Sequence, residues 1–138
     1  MDIVKIKHDL EKSPNLATAL GIELISTEDD KSCVAKMKVD ERTRQPFGYL
    51  SGGASLALAE TLAGAGSYCL CPDSICVGVN VSGTHIKPVP EGETVTAIAN
   101  IQHQGKKVHH WQVTVRDESG ETVSNIQVTN YIIQKQMP

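Results

Sequence analysis

The chain has 138 residues and a formal net charge of −3, with 40% apolar and 21% charged residues. A chain of this length buries roughly 68% of its unfolded surface, which gives one core and no separate substrate domain. Residues 1–138 are therefore predicted to form a single domain. The mild acidity and only five aromatic residues argue against a nucleic-acid-binding protein, which needs a basic face and usually stacking rings.

The N-terminus and the cysteines indicate the compartment. The first 15 residues alternate apolar and charged side chains and contain no apolar core or cleavage site of a signal peptide, so a cytoplasmic protein is expected. The chain is too rich in Val, Ile, Leu and Ala to need a disulfide frame for its four cysteines. Cys69, Cys71 and Cys76 form a C-x-C-x4-C spacing that fits no standard zinc site, so we expect packing thiols and no metal.

Two short helices and one strand are predicted before the first long loop. Residues 2–20 show helical patterning, with Ser13 as an N-cap before Pro14 and with Gly21 as a stop. Residues 31–40 then alternate with the period of two that is typical of a half-buried strand. The predicted inward face of this strand consists of Cys33, Ala35, Met37 and Val39. Residues 41–50, with Pro46 and Gly48, are predicted to be a loop.

Residues 54–70, ASLALAETLAGAGSYCL, are apolar on every side and contain a single charge, Glu60. A helix of this kind is enclosed by protein or by lipid. The segment is short for a membrane span, contains Gly64 and Gly66, and has a carboxylate near its middle. We therefore predict no membrane contact and a central helix that is wrapped by a sheet, with its small residues allowing close approach of the strands.

Beyond Pro72 the sequence returns to a period of two. The predicted strand segments lie at 75–82, 85–89 (HIKPV), 94–102, 108–116 and 122–133. The turns PEGE, QGKK and DESGE each contain a glycine that can supply a positive φ, and strands joined by short turns pair antiparallel. The predicted fold class is α+β, with a curled antiparallel sheet around one long helix.

Glu60 is the strongest functional signal in the sequence. Its helical neighbours three and four positions away are Leu56, Ala57, Ala63 and Gly64, and no other charge in the helix indicates a solvated face. Burial of a carboxylate costs several kcal/mol unless it is paired or protonated, so a buried glutamate that persists here is expected to be functional.

The segment SGGAS at 51–55 lies where the loop becomes the helix. The backbone N–H groups of a first helical turn are unpaired, and glycine lets an acyl oxygen or a phosphate approach them. A plain cap by Ser51 is the simpler interpretation, and the absence of G-K-[ST] excludes a P-loop. Gln45, a few residues earlier, is a neutral donor that could help to polarise a carbonyl.

The stretch QPFGYLSGGASLALAET, residues 45–61, resembles the signature of the hotdog-fold acyl-CoA thioesterases of the PaaI and 4-hydroxybenzoyl-CoA (Arthrobacter-type) group. It is most similar to the enterobactin-proofreading and dihydroxynaphthoyl-CoA branches, and the likeness extends from about Leu20 to Ile133. The resemblance implies a hotdog fold and hydrolysis of a thioester to an acid and free CoA. It implies no cofactor, because coenzyme A is part of the substrate. Glu60 would be the catalytic carboxylate, and Gln45 and the Gly52 amide would polarise the thioester carbonyl.

The resemblance also implies a homo-oligomer, expected to be a tetramer built as a dimer of dimers. Its substrate and CoA contacts would come from Ser51, Gly53, Ser82, His85, Lys87, Lys106 and Lys107. Lysines in a hairpin turn are also commonly just solvated, and a strand histidine can be purely structural. Two positions depart from the pattern, because the family commonly has His at position 51 and Ser or Thr at position 64, where this chain has Ser51 and Gly64.

The spacing of the proposed catalytic groups predicts a shared site. Gly52 and Glu60 are eight residues apart on one helix, or about 12 Å along its axis at 1.5 Å per residue. A catalytic carboxylate and carbonyl donors must converge within roughly 3 Å of one reacting centre. We therefore expect Glu60 to act on a thioester held by Gln45 and Gly52 of a partner subunit.

Several functions and details stay open at this point. The same fold could bind acyl-CoA without catalysis, or hydrate an enoyl thioester, although the loop before the helix lacks the Asp and His pair of such hydratases. No Ser-His-Asp or H-E-x-x-H arrangement appears. A purely structural protein would leave Glu60 unexplained. The acyl group (aryl or medium aliphatic), the carrier (CoA or a carrier protein) and the role of Glu60 as base or nucleophile are not decided by the sequence.

Overall fold

A six-stranded antiparallel sheet curls around one long helix in the computed structural model, which describes residues 1–135. A 3-10 turn, Ile3–Ile6, leads into α1. The elements that follow are α1 (Lys7–Leu10), α2 (Leu16–Leu20), β1 (Glu23–Ile25), β2 (Ser32–Lys38), α3 (Gly52–Leu70), β3 (Ser74–His85), β4 (Thr94–Gln104), β5 (Val108–Arg116) and β6 (Thr122–Gln134).

The strands are ordered β1-β2-β4-β5-β6-β3. The hairpins β4-β5 and β5-β6 are antiparallel, as predicted. However, β3 pairs with β6 rather than with β4, so β3 forms one edge of the sheet. The predicted strand at 85–89 is wrong beyond His85: Pro88 and Pro90 have no N–H to give to a ladder, and the chain leaves the sheet there. In the predicted turns, Gly92 and Gly120 have positive φ, whereas Gly105 does not.

The core lies between α3 and the concave face of the sheet. The predicted inward face of β2 is confirmed, because Cys33, Ala35, Met37 and Val39 are each at most 1% exposed. Small residues do allow close approach: a Cβ at Gly66 would lie 2.7 Å from Cη2 of Trp111. Leu58 and Leu62 of α3 are fully buried against this sheet.

The N-terminal helices differ from the prediction at one end. The N-cap of α2 is Asn15, not Ser13, because the Asn15 side chain accepts a hydrogen bond from the Thr18 N–H and the Thr18 hydroxyl closes a capping box. At the other end, Gly21 stops the helix with a φ of 72°, as predicted. The cysteines are free thiols, and no helix within residues 1–135 is long and apolar enough to cross a membrane.

A buried polar network ties the last turns of α3 to the sheet. The Ser67 hydroxyl oxygen accepts hydrogen bonds from Trp111 Nε1 (2.9 Å) and Asn130 Nδ2 (3.1 Å) and lies 2.8 Å from Nδ1 of His109. Because both lone pairs of the Ser67 oxygen are used, its proton goes to Nδ1, which leaves His109 neutral with its proton on Nε2. Burial lowers the pKa of His109 and agrees with this neutral form.

Ser67→Ala is expected to lower the free energy of unfolding by about 2–4 kcal/mol, because it leaves the Trp111 N–H and the His109 Nδ1 buried without a partner. Urea denaturation measures this loss. The matched control is Ser55→Ala on the same helix, because Ser55 is also buried (1% exposed) but is not one of the residues that bond to Ser67. Equal losses for the two variants would contradict the network.

Candidate active site

A pocket of about 270 Å³ opens at the N-terminal end of α3. It brings together four of the predicted site residues from different parts of the chain: Gln45 from the loop before α3, Gly52 from its first turn, His85 from the end of β3 and Lys87 just after that strand. The strand residue Ser124 also lines it. The structure thus places the predicted carbonyl-polarising groups in one cavity.

The loop at 45–49 is folded around the side chain of Gln45. Its Oε1 accepts hydrogen bonds from the backbone N–H groups of Phe47 and Tyr49. Gly48 closes this turn with a φ of 88°, and the Gln45 N–H donates to the Tyr49 carbonyl at 2.7 Å. Because the loop occupies the amide oxygen, the amide NH2 is the group left to donate to a ligand.

Gly52 is the first residue of α3. The preceding residue, Ser51, is the N-cap of α3 as predicted, with extended backbone angles, but its side chain makes no cap hydrogen bond. The first-turn N–H groups of α3 therefore carry the partial positive charge of the helix end. A Cβ at position 52 would lie 2.6 Å from Nε2 of His85, so only glycine lets the imidazole lie against this turn.

His85 is held by a residue that the sequence did not point to. Its Nδ1 lies 2.8 Å from the hydroxyl of Ser124, which is fully buried and stands opposite His85 in the β3-β6 register. This contact occupies Nδ1, which leaves Nε2 as the ring nitrogen of His85 that lies against the first turn of α3. The contact between His85 and Ser124 follows from the strand register, and no local sequence pattern predicts it.

Glu60 occupies a different groove and is exposed, which corrects the expectation of a buried carboxylate. The sheet covers one side of α3 and leaves the side with Gly53 and Glu60 open. The carboxylate lies against the backbone of β3, where a Cβ at Gly78 would be 3.0 Å from its Oε2. Within residues 1–135 Glu60 forms no ion pair, so its oxygens are available as base or nucleophile.

A family model described as the thioesterase superfamily matches residues 47–124, which is more than half of the chain. The chain belongs to this superfamily. It is 42% identical over 106 residues to the proofreading thioesterase EntH of Cronobacter turicensis, and the match covers 76% of each protein. The predicted family and enzyme class are confirmed, and the protein is a thioesterase.

Solved structures agree with this thioesterase along nearly its whole length. A glutamine-to-alanine variant of thioesterase PA1618 from Pseudomonas aeruginosa is 33% identical, with a TM-score of 0.87 over 98% of this chain and 96% of that one. Two variants of SAV0944 from Staphylococcus aureus are 32% identical, with TM-scores of 0.80 and 0.81. They cover 86% and 88% of this chain and 98% and 100% of SAV0944. The predicted hotdog fold is confirmed.

The remaining predicted contact residues of the thioesterase are not all close to the pocket. Lys87 lines it, but its ammonium is paired with Asp117 at 2.6 Å and with Glu121. The hydrogen bond with Asp117 raises the pKa of Lys87 and lowers the pKa of Asp117. Ser82 is exposed on β3, a few residues before His85.

The turn with Lys106 and Lys107 lies at the opposite end of the sheet from Gly52. The next strand, β5, begins beside the C-terminal end of α3, where His109 lies 3.8 Å from the Cys71 sulfur. Gly52 is at the other end of the same 19-residue helix. One protomer of the thioesterase therefore does not bring these lysines to its own carbonyl-polarising pocket.

Proposed function

We propose that this thioesterase hydrolyses acyl-CoA to a free acid and CoA, with Glu60 as the catalytic carboxylate and with Gln45 and Gly52 of a partner subunit polarising the carbonyl. The observation that carries the proposal is the division of the site: the donors converge in one pocket of the protomer, and the carboxylate lies in another. Two subunits related by a two-fold axis would form two complete sites, each with the donors of one subunit and the carboxylate of the other.

The solved variants of SAV0944 support the choice of Gln45 and Glu60. One of them replaces a glutamine by alanine and the other a glutamate, and the two replaced positions are 15 residues apart. Gln45 and Glu60 are separated by the same 15 positions. If the two proteins share one catalytic arrangement, the Gln and the Glu are expected at the same spacing in both.

The proposed chemistry follows from the donors. The Gln45 NH2 and the Gly52 N–H, at the positive end of the α3 dipole, stabilise the negative charge that develops on the thioester oxygen. Glu60 either takes a proton from the attacking water or attacks the acyl carbon itself. In the first route the C–S bond breaks and the proton that Glu60 took from water passes to the CoA sulfur. In the second the C–S bond breaks as a mixed anhydride with Glu60 forms, and water then hydrolyses the anhydride and supplies the proton of the thiol. Further substrate contacts are assigned to Nε2 of His85 in the pocket and to Ser51 and Gly53 at the start of α3.

CoA contacts are proposed for the polar residues outside the pocket. Ser82 lies on the same strand as His85 and would contact the pantetheine arm. Lys106 and Lys107 would reach the CoA phosphates from a subunit other than the one that supplies Gly52. Lys87 would assist only if its ammonium exchanged Asp117 and Glu121 for a phosphate.

The proposal includes a cytoplasmic homotetramer, a dimer of dimers. An exposed apolar patch, defined by five residues on the edge strand β3 and its neighbour β6, supports an oligomer. Its members are Ile75 (48% exposed), Val77 (39%), Val79 (59%), Tyr131 (40%) and Ile133 (43%).

Detection of free thiol released from acyl-CoA tests the proposed function. We expect turnover with acyl-CoA and less with the same acyl group on a carrier protein. Binding of acyl-CoA without thiol release would contradict the proposal and would instead indicate a binding module. Hydration of an enoyl-CoA, measured as the loss of its conjugated absorbance, would indicate a hydratase.

Gly78→Ala should lower kcat about 10-fold with little change in KM, because a Cβ at this position displaces the Glu60 carboxylate from β3. The β3-β6 register already shifts between Gly78 and Asn80, so the strand tolerates irregularity here. Asn80→Ala, at the same register shift but outside the lining of the groove that holds Glu60, is the control and should keep wild-type kcat. An unchanged kcat in Gly78→Ala would show that β3 does not position the carboxylate.

A further inference from the structure

A second groove, of about 420 Å³, runs along α3 from Glu60. Glu60, Gly64 and Tyr68 are spaced four residues apart, so they lie on one stripe of the helix that is about 12 Å long. The N-terminal helices form the opposite wall, with Leu10, Leu16 and Ala17. We call this the α3 groove. Its volume is within the range of sites that bind small organic ligands.

Gly64 lies between the carboxylate and Tyr68, and its position is open. A Cβ built there has no atom within 4 Å. Gly66, two residues further on, shows the opposite case, because a Cβ there would collide with Trp111. The glycine at position 64 is therefore not required by packing, and its effect is to leave space in the α3 groove directly beyond Glu60.

The lining of the α3 groove selects for an apolar ligand. No lysine or arginine lines it within the described part of the chain, so it is unsuited to the phosphates of CoA. The Tyr68 hydroxyl already donates to Asp9 at 3.2 Å. Leu16 is 59% exposed at the rim, and it would lose that contact with water if an alkyl chain lay along the α3 groove.

We propose that the α3 groove holds the acyl chain of an unbranched, medium-length aliphatic thioester and that Gly64 provides the space for its first methylene groups. The inference rests on the proposed function, because Glu60 marks the reacting carbon at one end of the groove. A linear chain fits a groove that follows about two turns of a helix better than a compact aryl ring does. The CoA part of the bound substrate then extends in the opposite direction, toward the donors of the partner subunit.

The test compares kcat/KM for acetyl-CoA, octanoyl-CoA and benzoyl-CoA in the wild type, Gly64→Ala, Gly64→Leu and Leu16→Ala. We expect the wild type to prefer octanoyl-CoA. Gly64→Leu should lower kcat/KM for octanoyl-CoA by at least about 10-fold and should leave acetyl-CoA nearly unchanged. Gly64→Ala should show a smaller change in the same direction, and Leu16→Ala a loss of a few-fold for octanoyl-CoA only.

Folding and function are controlled separately. Ala and Leu favour an α-helix over Gly, so a selective loss in these variants does not come from unfolding, and acetyl-CoA reports the intact catalytic groups. Equal losses for acetyl-CoA and octanoyl-CoA would overturn the inference, as would a wild-type preference for benzoyl-CoA that Gly64→Leu leaves unchanged. If no acyl-CoA is hydrolysed, the proposed function fails. Calorimetric binding of octanoyl-CoA to the wild type and to Gly64→Leu then decides the groove inference alone, because equal affinities overturn it.

Discussion

Glu60→Gln is expected to lower kcat for acyl-CoA hydrolysis by about 10²–10⁴-fold and to leave acyl-CoA binding intact. The amide has the shape of the carboxylate and fits the same contact with Gly78, but it can neither accept the proton of water nor attack the acyl carbon. Thiol release measures turnover, and calorimetry with acyl-CoA measures the dissociation constant. The separation of a lost kcat from a retained affinity is what distinguishes a catalytic carboxylate from one that holds the substrate.

Glu28→Gln is the matched control for this substitution. Glu28 is exposed and lies outside both the pocket at Gly52 and the α3 groove, so the same change of charge should leave kcat at the wild-type value. Turnover that survives in Glu60→Gln within a few-fold of the wild type would show that another group performs the chemistry. A loss of equal size in both variants would point to net charge rather than to the site.

Local patterns predicted the elements that local physics determines. The alternation of β2, the apolar α3 and the left-handed Gly21 follow from side-chain periodicity and from backbone freedom, which act within a few residues. The position of β3 at the sheet edge does not, because its pairing with β6 joins segments about 50 residues apart in the chain. The cap is Asn15 rather than Ser13 because helix boundaries depend on side-chain geometry, and two polar residues on either side of Pro14 could each supply a cap.

The site shows the same division between local and long-range information. The proximity of Gln45 and Gly52 was predictable because the loop and the helix start are contiguous in sequence. The pair His85 and Ser124 was not, because it depends on strand register. Because the helix is apolar on every side, the sheet was expected to cover Glu60, yet the protomer leaves that residue exposed. An all-round apolar helix shows that its faces need cover, but it does not show whether the same chain or another copy provides it.

A mixture of inactive Glu60→Ala and inactive Gln45→Ala chains should recover about a quarter of wild-type activity, because half of randomly formed dimers are mixed and each has one of its two sites intact. The geometry that requires this is the placement of Gln45 and Glu60 in separate pockets of one protomer. Chains with two different affinity tags, unfolded together and refolded, allow the mixed dimer to be isolated and assayed for thiol release. The control mixes Glu60→Ala with the double variant Glu60→Ala/Gln45→Ala, which should recover nothing because no Glu60 is present. An inactive mixed dimer, isolated by both tags, would mean that Gln45 and Glu60 act within one chain, and the shared site would then be wrong.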